Sequence, residues 1–362
     1  MRHRFHSICP YFAMFPEWFV GRHLVWAGPN GIVFDPFSGR GTTVFESLLN
    51  QRHAAGCDVN PVAVCVSNAK ADPPTAADAL RRLDTIAARP LDTADDVQQN
   101  PFFRACFHPQ TLKELLHLRR HLQWRQRTDD CFIAGIVLGC LHGESHRSPR
   151  YFSNRMPRTI STKPDYSVRW WKEYGYTAPR RSVFEILQEQ IAYRFVSEPP
   201  VIRGRVVQAD AREAYLSFPK MKRRVSLLIT SPPYLDTTNF REDQWLRIWF
   251  LGGPPKPCTA RTGDDRHGNA NAYWQFLTEA WHGVAPLLRN DAHVVIRIGG
   301  KRLTRPEISE GLFASLKNGL GKRIGLVEEG TTEIVGGQRQ VFHPEGRVTR
   351  FEYDFHFALL RA

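Results

Sequence analysis

The chain has 362 residues, with 49 lysines and arginines against 36 aspartates and glutamates, a formal net charge of +13. With 42% hydrophobic and 12% aromatic residues it can bury a large core, which excludes a disordered chain, and the excess cations point to a polyanionic partner. The length fits one large domain with an insertion, or two domains. No run of about 18 apolar residues is present to span a membrane. The opening stretch MRHRFHSICPYFAMFPEWF is interrupted by Pro10 and Pro16 and carries Glu17, so it makes a poor signal peptide. Seven cysteines without a CxxC pair argue against a disulfide framework or zinc ribbon and for a reducing, cytoplasmic location.

In chain order, residues 31–34 (GIVF) read as a buried strand, and 35–41 (DPFSGRG) as a loop. Thr42 or Thr43 would cap the helix that follows, which places Val44, Phe45, Leu48 and Leu49 on its apolar face. Residues 54–57 form a second strand ending at Asp58, and Asn60-Pro61 opens another helix. Residues 71–200 read as helical, with patterns at 111–124, 131–141 and 182–195. Between the last two lies 147–181, where nine lysines and arginines face two acids, a net charge of about +7, and seven aromatic residues are interleaved. Strands return at 204–209, ending at Asp210, at 225–229, ending at Thr230-Ser231, and at 293–298, with a helix over 274–288. Phe351, Tyr353, Phe355 and Phe357 alternate with Glu352, Asp354 and His356, the period of an antiparallel edge hairpin with 325–335. Strands alternating with helices predict a parallel sheet built from 1–70 and 201–362, with 71–200 as a helical insertion.

Two short segments carry chemistry. Glycines 39 and 41 let the backbone approach a ligand and turn into a helix, and Asp58 ends the next strand about 20 residues on, where an acid can bind ribose hydroxyls. Arg40 and the missing Lys-Thr pair argue against a phosphate-gripping loop. In Ser231-Pro232-Pro233-Tyr234, two prolines end the strand and remove two amide donors. What remains is a hydroxyl, free carbonyls and an aromatic face at the carboxyl edge of the sheet, a set suited to a planar base with an exocyclic amine.

Taken together, these residues resemble the amino-directed DNA methyltransferases, which methylate cytosine N4 or adenine N6. DPFSGRGTT at 35–43 is similar to the family's S-adenosylmethionine loop, GCDVNP at 56–61 to its ribose-binding strand end, and SPPY at 231–234 to its catalytic tetrapeptide. CPYFAMFPEW at 9–18 and QWLRIWFLG at 244–252 are similar to the segments before the first strand and after the tetrapeptide. The resemblance implies an α/β, Rossmann-like S-adenosylmethionine-dependent methyltransferase fold, a seven-stranded, mostly parallel sheet with an antiparallel edge hairpin and a helical insertion. It assigns Asp35, Phe37, Ser38, Gly39, Gly41 and Thr42 to the methionine and adenosyl parts of the cofactor. Asp58 and Asn60 fall at the ribose, Asp210 at the adenine amine, and Phe12, Phe15 and Pro16 wall the cofactor. Ser231 and the Pro232 carbonyl would hold the target amine, Pro233 stiffens the turn, and Tyr234 would stack on a flipped base.

The serine form is commoner among N4-cytosine enzymes, so the expected product is N4-methylcytosine. Adenine N6 is the alternative, followed by an RNA base methyltransferase or a catalytically idle DNA-binding module. The implied partners are double-stranded DNA and a cognate restriction endonuclease. Arg147, Arg150, Asn154, Arg155, Arg158, Lys163 and Arg169 in the basic stretch, and Arg241 beyond Tyr234, are the candidate DNA contacts. No metal site is expected, because His142 and His146 lack a cysteine or acid at ligand spacing. Cys258 follows a proline but lies in a polar loop, and the tetrapeptide makes a cysteine nucleophile superfluous.

Overall fold

In the computed structural model, which describes residues 2–11, 16–91, 96–158, 161, 163–235, 239–258, 269–300, 302–333 and 351–360, the apolar runs of the sequence become strands of one sheet. These are β1 (Ile32–Asp35), β2 (His53–Asp58), β3 (Arg205–Gln208), β4 (Val225–Thr230), β5 (Leu288–Gly299), β6 (Ile324–Glu333) and β7 (Phe351–Leu359). Their order is β3-β2-β1-β4-β5-β7-β6. The first five are parallel, and β7 runs antiparallel between β5 and β6. This is the Rossmann-like, seven-stranded sheet that the sequence predicts, hairpin included. All six residues of β4 are buried, as expected of a central parallel strand covered on both faces. Phe355, Phe357 and Leu359 of β7 join the same core as Phe34, Leu228 and Trp281.

β5 begins at Leu288, five residues before the apolar run 293–298. Its first pair is Val225 with Leu288, and the next is Leu227 with His293. The irregularity between them absorbs the polar Arg289-Asn290-Asp291, which is why that stretch does not look like a strand.

The chain divides into two compact units. One, comprising 14–59, 201–238 and 261–362, holds the sheet. The other, comprising 1–13, 60–200 and 239–260, is helical and takes in more than residues 71–200. The helix Pro61–Ala71 is buried almost all round, and Cys65 Sγ lies 3.7 Å from the Cys131 carbonyl. Gly135 faces Ala69 so closely that an added Cβ would sit 2.7 Å from the alanine methyl. The helix Trp245–Phe250 belongs here because Trp245 meets Phe102 at 4.8 Å and Trp249 meets Phe103 at 4.5 Å between ring centres. Arg247, fully buried, donates to the Leu138 and Arg158 carbonyls at 3.0 and 2.7 Å. No helix among the described residues is long and apolar enough to cross a membrane.

Candidate active site

The chain leaves β1 for β2 on one side and returns to β4 on the other. Sheets of this kind bind ligands at the carboxyl ends of the strands flanking such a reversal. Asp35 ends β1 there and is 1% exposed. Its Oδ1 accepts from Thr230 Oγ1 at 2.6 Å and from the Phe37 amide at 3.0 Å. Burial pushes its carboxyl up to about 6, against the pull of the Thr230 and Thr43 hydroxyls and the Phe37 amide beside it, and neighbouring Asp58 adds to the rise.

The loop after β1 is held by its own backbone. The Ser38 amide donates to the Cys57 carbonyl at 3.0 Å, Ser38 Oγ to the Asp35 carbonyl at 3.0 Å, and the Gly39 amide to Asp58 Oδ2 at 2.8 Å. Glycines 39 and 41 take left-handed φ values of 50° and 72°, so the loop needs both. Gly41 rather than either threonine caps the helix Thr42–Leu49. Thr42 instead accepts from Arg40 Nε at 3.4 Å, and Thr43 donates to the Ile229 carbonyl at 3.2 Å, tying the loop to β4. Arg40, buried, reaches Glu17 at 3.2 Å.

The other cofactor candidates are spread more widely. Pro16 precedes the helix Glu17–His23 as its N-cap residue. Phe12 and Phe15 lie outside the described residues. Phe37 is half-buried, edge-on to Trp281 at 6.2 Å. Asp210 follows β3, and its two oxygens take three hydrogen bonds from Arg212 at 2.9 to 3.1 Å. Asn60 is 2% exposed, caps the helix Pro61–Ala71 through the Val62 amide at 3.0 Å, and donates to Tyr11 Oη at 2.9 Å. Its side chain thus joins the start of that helix to Tyr11.

Ser231 to Tyr234 continue straight from β4, with Ser231 and Tyr234 half-buried and Pro232 buried. Tyr234 Oη meets Glu352 Oε1 of β7 at 3.0 Å. Burial, and after it the Glu352 charge, raise the phenol well above its ordinary value, while a hydrogen bond from Ser231 works against them. Glu352 in turn faces Arg297, which is 1% exposed and pairs with Asp354. Neither Glu352 nor Arg297 stood out in the sequence. Glu352 lies in the charged phase of the alternating 351–357 run, and Arg297 is the one charged residue inside the apolar run 293–298.

In the helical unit, Lys163, Arg169 and Arg241 are exposed. Arg147 and Arg158 are exposed and share Glu144 at 3.0 and 3.1 Å. Arg150 lies over Tyr151 at 4.8 Å and Arg155 over Tyr176 at 4.1 Å, both half-buried. Asn154 is a correction. It is 1% exposed, and its amide donates to the Ala105 and Tyr176 carbonyls at 3.2 and 2.9 Å, which makes it a strut under the surface and not a DNA contact. His142 is fully buried, with Nδ1 2.8 Å from the Pro157 carbonyl, and burial lowers it to about 3.

A family profile for the N6/N4 methylases, described as DNA methylase, matches residues 6–68. That stretch includes the whole 35–43 loop and Asp58. No curated protein sequence matches the chain. Among solved structures, TrmN from Thermus thermophilus is similar at a TM-score of 0.37 and 12% identity, covering 99% of this chain and 52% of that one, so the chain spans about half its length. The rRNA methyltransferase aviRa from Streptomyces viridochromogenes is similar at 0.35 and 12% identity, covering 99% and 94%. A SAM-dependent methyltransferase from Methanosarcina mazei is similar at 0.38 and 7% identity, covering 97% and 100%.

Proposed function

From a chain whose residues 6–68 are those of the amino-directed DNA methyltransferase family, we propose a DNA methyltransferase that acts on cytosine N4 of a base flipped from duplex DNA. The methyl donor is S-adenosylmethionine. The observation that carries the reading is the tetrapeptide Ser231–Tyr234 at the end of β4, joined through Thr230 to the buried carboxyl of Asp35 at the end of β1.

The donor set fits the cofactor. Asp35, Asp58 and Asp210 stand at or just past the carboxyl ends of three adjacent parallel strands. They can accept from three donor groups of the cofactor, its ammonium, its ribose diol and its adenine amine. Asp35 would hold the methionine end, Asp58 the diol, and Asp210 the adenine amine in exchange for part of its bonding to Arg212. The left-handed glycines 39 and 41 bring bare backbone to the same edge. When bound, the cofactor supplies an electrophilic methyl on a sulfonium.

The protein's part is positioning. The amine of cytosine is a poor nucleophile because its lone pair is delocalised into the ring. Ser231 Oγ and the Pro232 carbonyl accept its two N–H groups and turn the lone pair toward the methyl. In-line placement of this kind supplies several kcal/mol of a barrier. Flipping the base costs a few kcal/mol, and stacking on Tyr234 returns about 1–3 kcal/mol. The exposed cations of the helical unit, Lys163 and Arg169 among them, support a phosphate-bearing partner.

The test is incubation with labelled cofactor and either duplex DNA or RNA, followed by digestion and mass spectrometry of the nucleosides. N4-methylcytosine from DNA is expected. N6-methyladenine overturns the base, and label confined to RNA overturns the substrate.

A further inference from the structure

The helix Pro164–Glu173 packs on one face and leaves another in water. Ser167 and Trp171, one turn apart, are buried. Trp171 anchors the helix, since its Nε1 donates to the Arg155 carbonyl at 2.9 Å and its ring centre lies 5.7 Å from that of Phe102. Tyr166, Trp170 and Tyr174 repeat the four-residue spacing on the adjoining face, which sets them about 6 Å apart along the axis. Tyr166 and Tyr174 are 57% and 56% exposed, and Trp170 is half-buried.

Gly175 takes a left-handed φ of 64°, so the chain reverses directly after Tyr174. The reversal lays Tyr176 against both of its neighbours. The Trp170 ring centre is 5.4 Å from Tyr174 and 5.1 Å from Tyr176, and the two tyrosines are 5.9 Å apart and within 15° of parallel. The Tyr176 amide donates to the Trp171 carbonyl at 2.8 Å, its carbonyl accepts from Asn154 at 2.9 Å, and the Arg155 guanidinium lies 4.1 Å from its ring centre. The rings are thus held in place before a partner arrives, which lowers the cost of binding one. Lys163, Arg169 and Lys172, next to or on the same helix, are exposed, and Asp165 and Glu173 are its acids.

Clustered ring surface left in water marks a contact face. The cations among the rings choose the partner. They suit an anionic chain that carries flat rings, and they are costly to bury against an apolar protein surface. A paired duplex keeps its base faces stacked inside and shows only base edges and phosphates. Unpaired nucleotides show base faces and phosphates together. We propose that Tyr166, Trp170 and Tyr174 form a stacking platform for unpaired nucleotides, with base faces laid on the rings and phosphates drawn to Lys163, Arg169 and Lys172. This goes beyond the function proposed above, because it requires neither the cofactor nor methyl transfer.

The experiment follows the anisotropy of a fluorescein-labelled DNA strand of about 12 nucleotides as the full chain is added without cofactor. The same strand made abasic, its perfect duplex and the RNA strand of the same sequence are titrated alongside. The wild type should bind a base-bearing strand about fivefold or more tighter than the abasic one, which has the same phosphates. The tighter of the DNA and RNA strands names the source of the nucleotides. The double variant Tyr166→Ala, Tyr174→Ala should lose that margin, while its melting temperature, its duplex affinity and the salt dependence of its binding stay as in the wild type. Tyr174→Phe should keep the margin, since stacking needs the ring and not the hydroxyl. Equal wild-type affinity for abasic and base-bearing strands, a comparison that needs no variant, overturns the proposal. So does a folded double variant that keeps the margin, or one that loses as much affinity for the duplex as for the single strand. A chain that binds the strands as expected and methylates nothing keeps the platform and overturns the proposed function alone.

Discussion

Asp35 carries a cost that ligand binding can relieve. Its carboxyl titrates near about 6 in the folded protein against 3.8 as an ordinary aspartate, so the native state holds its proton over a range where the unfolded chain has lost it. The native state therefore loses stability as pH climbs from about 4 to about 6, and the deficit, about 3 kcal/mol, persists above that. Asp35→Asn keeps the acceptor for Thr230 and Phe37 without the charge. It should raise unfolding stability at pH 8 by up to about 3 kcal/mol, leave it unchanged at pH 4, and weaken cofactor binding more than tenfold. Urea unfolding at both pH values and calorimetric titration check this, and destabilisation at pH 8 refutes it. Asp35 and the tetrapeptide were legible in the sequence because their neighbours are distinctive. Thr230 and Thr43 were not, since a hydroxyl beside a motif gives no sign of what it bonds. Asn154 misled for a related reason: an amide among arginines reads as surface, and only the fold shows it spent on two carbonyls.

Among elements, the turn from β1 is the most tightly constrained. A Cβ on Gly56 of β2 would stand 2.2 Å from Ser38 Oγ and 2.4 Å from the Asp35 carbonyl. The loop that carries Ser38 and Gly39 lies directly on that strand. Gly56→Ala is expected to destabilise the protein by about 1–3 kcal/mol. It should also lower cofactor affinity at least tenfold, because the loop must lift away from Asp58. Denaturation and binding measurements on the variant decide it, and wild-type affinity counts against the cofactor assignment of the loop. The strands themselves were legible from apolar runs and from the period-two alternation of 351–357. The pairing register of the hairpin was not. Nor was the pairing of β7 with β5, which puts Arg297 opposite Asp354 and joins strands distant in sequence that no local pattern contains. Glu352 of β7 meets Tyr234 as a result of such non-local pairing.

Over the whole molecule, the net charge of +13 is unevenly spread, with residues 147–181 carrying about half of it. Within that stretch the cations differ in availability. Arg147 and Arg158 share Glu144, while Lys163 and Arg169 stand exposed. Replacing Lys163 and Arg169 by alanine should reduce affinity for the proposed duplex partner and flatten the slope of log K against log salt by about 0.9 for each lost phosphate contact. Arg147→Ala and Arg158→Ala should change it less. Fluorescence anisotropy across a salt series measures both, and an unchanged slope for Lys163 and Arg169 removes this face from the proposed interface. The helical unit that bears these cations is threaded from three stretches, 1–13, 60–200 and 239–260. It is therefore not a cassette. A recombination that exchanged 71–200 alone would carry off Phe102 and Phe103 and leave Trp245 and Trp249 behind without their packing partners, and would strip Arg247 of the Leu138 carbonyl. An exchange confined to 71–200 would therefore succeed only if the incoming segment supplied matching partners for Trp245, Trp249 and Arg247.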